Sequence, residues 1–163
     1  FASKNNSKKA VKQIMGSKSN TIKALNELGR FLRQFSAESI SKNDSVLYND
    51  LFFEGFVHQI KISKEYNGWF TKANLLFAIE NWAALLNTDS LNKWTSNYNF
   101  DNSTQKNVAI IMAGNIPLVG FHDFLCALIC DHKIIIKQSS NDKHLLPFLV
   151  HYLVKAYNFL HTN

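Results

Sequence analysis

The 163-residue chain has few of the residues that make covalently stapled or tightly turned folds: two cysteines, two prolines and six glycines. Two cysteines exclude a disulfide-rich secreted scaffold. So few turn formers argue against many short strands and for long helices. The longest apolar runs, such as Val108–Ala113, are far too short to span a bilayer, so no stable membrane insertion is expected. There is no G-x-G-x-x-G fingerprint, no P-loop and no Cys/His set at zinc-like spacing, so no metal site is expected. Acid is absent from residues 1–26, which carry six lysines and no arginine. The rest of the chain holds 12 basic and 12 acidic side chains, so the net charge of +6 belongs to a tail and not to a folded patch. A folded nucleic-acid binder needs a basic stripe interleaved with aromatics on its structured part, and none is visible, so nucleic acid is not an expected partner. The tail also lacks the apolar core of a secretory signal, which leaves a cytoplasmic location as the expectation.

What the chain does have is apolar residues, 46% of the total, in two textures. Residues 1–19 read as a basic disordered extension. Residues 20–98 read as a helical region. Ile22, Leu25, Leu28, Leu32 and Phe35 recur at helical spacing over Thr21–Phe35, with Ser19 or Asn20 as cap. Asn43–Asp44 is expected to open a second helix running to about Lys64, stopped by Asn67–Gly68. Thr71 caps a third helix, Lys72–Leu86, and a short fourth covers about Ser90–Tyr98. Trp69, Trp82 and Trp94 are expected to pack these helices together. The polar stretch 99–106 reads as a linker.

From residue 107 the texture changes. Asn107–Ala113 is apolar without alternation, the pattern of a strand buried on both faces of a parallel sheet. Gly114-Asn115-Ile116-Pro117 turns the chain, with Pro117 suited to the first position of a helix over Leu118–Cys130. Lys133–Lys137 is a second buried strand, and Ser139–Asp142 caps a last helix, Lys143–His161. Residues 107–163 thus form a βαβα unit with a right-handed crossover. Two central-type strands leave their outer edges unpaired, so the expectation is the N-terminal piece of a larger α/β protein.

In open α/β sheets ligands collect at the carboxyl ends of the strands. There the chain presents an Asn amide and helix N–H groups at Gly114–Pro117, and a cation with two hydroxyls at Lys137, Ser139 and Ser140. The second set suits a ribose or phosphate. Ordinary helix capping by the same Asn and Ser residues accounts for them equally well. Cys126 and Cys130 lie in an apolar helix, where a free thiol behaves as a small buried hydrophobe with nothing to activate it. His144 and His151 are seven residues apart, with no third ligand near, which favours a surface or capping role.

At these loops the chain resembles a known family. Lys106–Leu149, KNVAIIMAGNIPLVGFHDFLCALICDHKIIIKQSSNDKHLLPFL, is similar to the nucleotide-binding region of the acyl-CoA reductase family, which includes the fatty-acid reductase of luminous bacteria and belongs to the aldehyde dehydrogenase superfamily. Asn49–Leu86 resembles the N-terminal helices of bacterial members. The resemblance implies an α/β fold in which N-terminal helices precede the start of a parallel, Rossmann-like sheet, here incomplete. It implies that Asn115, in an N-x-P motif, is an oxyanion-hole donor. It implies a cofactor site made of Lys137, Ser139, Ser140, Ile116 and Pro117. Many NAD-preferring members carry a carboxylate where this chain has Ser140, and a neutral hydroxyl does not repel a 2′-phosphate, so NADPH is the implied cofactor. An acyl-CoA or other acyl thioester is the implied substrate, reduced to the aldehyde, and homo-oligomerisation stays open. The family's catalytic Cys and Glu lie further along than this chain reaches, so the 163 residues alone are expected to be inactive. The rival reading is a non-catalytic helical interaction domain.

Overall fold

The computed structural model describes residues 18–100 and 104–162. Residues 1–17, with four of the six lysines of the N-terminal segment, and residues 101–103 of the linker lie outside the described residues; Lys18 and Lys23 fall within the first helix, so that part of the expected tail is folded. The element order is α1 (Lys18–Leu32), α2 (Asn49–Tyr66), α3 (Lys72–Leu85), α4 (Thr88–Thr95), β1 (Asn107–Ile111), α5 (Phe121–Ile129), β2 (Lys133–Lys137) and α6 (Leu145–Thr162).

The helices follow from spacing and caps, with shifts at their ends. Ile22, Leu25, Leu28 and Leu32 form the buried stripe of α1. The helix stops before Phe35, where the chain tightens through Phe35 N–H to Leu32 C=O (3.0 Å) and pairs briefly with Ile40. The second helix starts later than expected. Asn43 Oδ1 accepts from the Ser45 N–H (3.0 Å) and Oγ (2.8 Å), so the residue closes a local turn and caps no helix. Tyr48, in the left-handed region at φ 55°, then enters α2. The Thr71 hydroxyl accepts from Asn74 N–H (3.2 Å) and caps α3, and Asn87 does the same for α4 through Ser90 N–H (2.9 Å).

β1 and β2 pair in parallel, Asn107 opposite Lys133 through Ile111 opposite Lys137. The expectation that both faces are buried is corrected. Val108, Ile110, Ile134 and Ile136 face the core, whereas Ile111 and Ile135 remain 78% and 58% exposed. α5 packs against both strands, and among the described residues no element covers the opposite face. The helix after β1 also begins later than expected. Leu118 takes the left-handed conformation at φ 59°, which a right-handed helix cannot include, so Pro117 sits in a turn and α5 starts at Phe121.

One core joins the helical segment to the βαβα unit. α1 lies at its centre, touching α3, α4, α5 and α6. Phe31 carries the packing: its ring stacks on Tyr152 of α6 at 4.4 Å and meets Phe35 at 5.2 Å and Phe56 at 5.5 Å. Gly29 brings α1 against the end of α3, so closely that an added Cβ would overlap the Leu86 carbonyl oxygen. Alanine ordinarily favours a helix over glycine by about 1 kcal/mol. At position 29 the backbone carbonyl cannot rotate away, so Gly29→Ala is expected to lower stability by about 1–3 kcal/mol, read as a reduced urea midpoint.

Candidate functional site

Parallel pairing puts the carboxyl ends of β1 and β2 side by side. The ladder runs one residue on, through Met112 N–H to Lys137 C=O (3.0 Å). The loops that follow then pack backbone against side chain. A Cβ on Gly114 would lie 2.6 Å from Ser139 Cβ, so only glycine allows this approach. Within the second loop, Ser139 Oγ accepts from Asn141 N–H (3.2 Å) and Ser139 C=O from Asp142 N–H (3.3 Å). Burial pushes the Asp142 carboxyl above its ordinary value, while the Leu118 and Leu145 N–H groups close to it act the other way. Asp142 therefore links the turn after β1 to the start of α6.

The first loop has a second neighbour. Asn115 through Val119 faces one side of α3 across an open, largely apolar groove of about 560 Å³. Its other wall is Trp69, Phe77, Trp82 and Leu85, with the amides of Asn74 and Asn81 among them. Trp69 is 75% exposed and Phe77 70%, which corrects the expectation that Trp69 packs the helices. Trp82 is partly buried edge-on to Phe121 at 4.9 Å, and Trp94 lies against His122 at 5.7 Å. The groove was missed in the sequence, although α3 carried a signal. Phe77 and Leu85 fall off the buried stripe of Leu75, Leu76, Ile79 and Ala83, leaving apolar surface in excess of what the core takes.

Asn67 joins the two walls. This buried residue, 7% exposed, ends α2. Its Nδ2 donates to Gly114 C=O (2.7 Å), and its Oδ1 accepts from Trp69 N–H (3.0 Å). Spacing had marked it only as a helix stop.

The residues expected at the site fall into two adjoining groups. Asn115, Ile116 and Pro117 line the groove with α3. Lys137 ends β2, and Ser139 and Ser140 lie on the loop that follows it, joined to the first group through the contact of Gly114 with Ser139. Lys137 and Ser140 are exposed and Ser139 half-buried. Among the described residues no carboxylate pairs with Lys137.

The cysteines need two corrections. Both are half-buried and not enclosed. Cys126 also has a neighbour, since its Sγ lies 3.8 Å from His122 Nδ1, one helical turn back. Burial, the Asp123 charge and Cys130 nevertheless push its thiol up, so the thiolate stays disfavoured. His144 precedes α6 with its ring 4.5 Å from Tyr66, and His151 lies 5.2 Å from Phe52. Among the described residues no group of three or more His, Cys, Asp or Glu side chains could hold a metal, and no helix is long and apolar enough to cross a membrane.

The model of one protein family, Acyl-CoA reductase (LuxC), matches residues 54–158, well over half of the chain. The match takes in most of α2, the α3 wall, both loops and most of α6. No curated protein and no solved structure matches the chain.

Two outcomes follow from this geometry. Gly114→Ala is expected to cost about 1–3 kcal/mol by forcing the loops apart, and adding Ser139→Gly is expected to restore most of the loss, as read by thermal melting of the single and double variants. The Asp142 carboxyl holds its proton to higher pH in the folded than in the unfolded chain. Its contribution to stability is therefore complete below pH 3.8 and lost as the pH rises through its higher folded value. Asp142→Asn is expected to remove that part of the pH dependence, measured as unfolding free energy across the acid range.

Proposed function

The chain belongs to the acyl-CoA reductase (LuxC) family, and from that premise we propose that its two loops and the α3 groove form part of an active site that reduces a fatty acyl thioester to the aldehyde with NADPH. An acyl thioester is the substrate class the family implies. The observation that carries the assignment to this place is the position of Asn115. Asn115 belongs to the loop after β1 and is one of the residues that line an open apolar groove. An acyl thioester needs both features together: apolar surface for the chain and a fixed donor for the carbonyl oxygen.

In this reading β1-α5-β2-α6 begins a Rossmann-like nucleotide-binding sheet of the aldehyde-dehydrogenase kind. Lys137, Ser139 and Ser140 fit NADPH by the chemistry of the set: an exposed lysine with no ion-paired carboxylate among the described residues, followed by two hydroxyls, with a neutral Ser140 at the position where a carboxylate would repel a 2′-phosphate. NADPH supplies the hydride when bound. Asn115 donates its amide N–H to the thioester oxygen as that oxygen gains negative charge. A fixed donor of this kind is worth about 3 kcal/mol of barrier. Trp69, Phe77 and Leu85 hold the acyl chain, and covering these exposed side chains removes apolar surface from water at about 25 cal/mol per Å². Ile116 and Pro117 shape the turn between the acyl and nucleotide sides.

The test is made in the full-length protein with a fatty acyl-CoA. Lys137→Ala is expected to weaken NADPH about ten- to a hundredfold and NADH much less, because only the former places a phosphate dianion beside the ammonium. Ser140→Glu is expected to shift preference the same way, by repelling the phosphate while offering the ribose an acceptor. kcat/KM for both cofactors in both variants reads this out. Equal losses for the two cofactors would assign Lys137 to the fold or the shared ribose and remove NADPH from the proposal.

A further inference from the structure

We propose that Asn67 is a positioning residue for the reduction: it holds the Asn115 backbone and the Trp69 wall of the groove in one arrangement through a single side-chain amide. The inference rests on the reading of Asn115 as the donor to the thioester oxygen.

The bond at issue acts on one peptide group. Gly114 C=O and Asn115 N–H belong to the same planar unit, so fixing the carbonyl fixes the plane from which Asn115 departs. Asn67 Nδ2 donates to that carbonyl at 2.7 Å, from a buried side chain. Its Oδ1 is engaged at the same time by Trp69 N–H at 3.0 Å. The main chain of Asn67 is also committed: its N–H donates to Ser63 C=O (3.0 Å) and its C=O accepts from Phe70 N–H (2.9 Å). With its backbone anchored, the amide cannot follow the loop if the loop moves. The Trp69 backbone is in turn tied to α3, because its C=O accepts from Asn74 Nδ2 (3.0 Å). One amide therefore spans from the α3 wall to the peptide preceding Asn115, across 47 residues of sequence.

The two ends of this amide can be separated by substitution. Asn67→Asp keeps an oxygen to accept from Trp69 N–H and replaces the donor with an oxygen that repels Gly114 C=O. Asn67→Ser keeps a hydroxyl near Trp69 N–H and is too short to reach Gly114. Position 67 has φ −150°, which any residue adopts, so neither change strains the backbone.

In the full-length protein, with a fatty acyl-CoA and NADPH, kcat is expected to fall about ten- to a hundredfold in Asn67→Asp, with KM for NADPH changed less than about threefold. Asn67→Ser is expected to show the same split, and it carries the test if the buried charge in Asn67→Asp prevents folding. The decisive measurement is the cycle with Asn115→Ala. Once the donor is gone its position no longer matters, so either Asn67 variant is expected to cost less than about twofold further in that background. A large loss in Asn115→Ala together with wild-type kcat in the Asn67 variants, or with fully additive losses, overturns the role of Asn67 and leaves the Asn115 reading standing. Wild-type kcat in Asn115→Ala overturns the Asn115 reading itself, and the role of Asn67 with it.

Discussion

The stack of Phe31 on Tyr152 is the contact on which the placement of the candidate site depends. α1 and α6 lie at opposite ends of the sequence, and their rings meet at 4.4 Å in the middle of the core. Tyr152 can be buried there because its hydroxyl donates to Leu47 C=O (2.9 Å), and burial keeps the phenol protonated by pushing it well above its ordinary value. Fixing α6 against α1 fixes the loop that enters it, residues 138–144. That loop is the one that bears on Gly114. An aromatic contact in the core thus determines how the two loops at the strand ends meet.

Those loops meet closely because their approach is made by backbone. Parallel strands bring their carboxyl ends to the same edge, and a glycine at 114 lets the first loop settle onto Ser139. The consequence is two chemically different surfaces side by side. On one side lie Lys137 and two hydroxyls, suited to phosphate and ribose. On the other lies Asn115 above an apolar wall. The Asn67 amide crosses between α2 and the shared peptide, so their arrangement is held from below by a buried hydrogen bond as well as by packing.

Two of the apolar surfaces that stay open to solvent among the described residues differ in kind. The outer face of the sheet, with Ile111 and Ile135, also carries Lys133 and Lys137. The groove beside α3 is concave and has Asn74, Asn81 and Asn115 among its lining residues. A concave apolar wall with a few fixed polar groups is the form of a small-molecule site, whereas an open sheet face offers area without orientation.

Among the described residues, periodicity and turn chemistry were enough to locate the helices and the two strands to within a few residues, the parallel βαβα order, Lys137 at a strand end, and the loops bearing Asn115, Ser139 and Ser140. These features are local: a cap, a stripe at helical spacing and an apolar run are each written within a few residues. The extra apolar side of α3 was written there as well, in Phe77 and Leu85, but a stripe does not say whether a second face will be covered. The tertiary structure decided what depends on distant neighbours. It exposed Trp69 and Ile111, which are as apolar in sequence as the partly buried Trp82 and the buried Ile110. It delayed α5 to Phe121 by holding Leu118 in a left-handed conformation beside Asp142. It turned Asn67 from a helix stop into the tie to Gly114. Composition and spacing by themselves determined which segments would have apolar faces. Which faces were covered, and which amide reached which carbonyl, was decided only when α1 and α6 closed on each other, because burial and hydrogen-bond pairing belong to pairs of segments and no single segment encodes them.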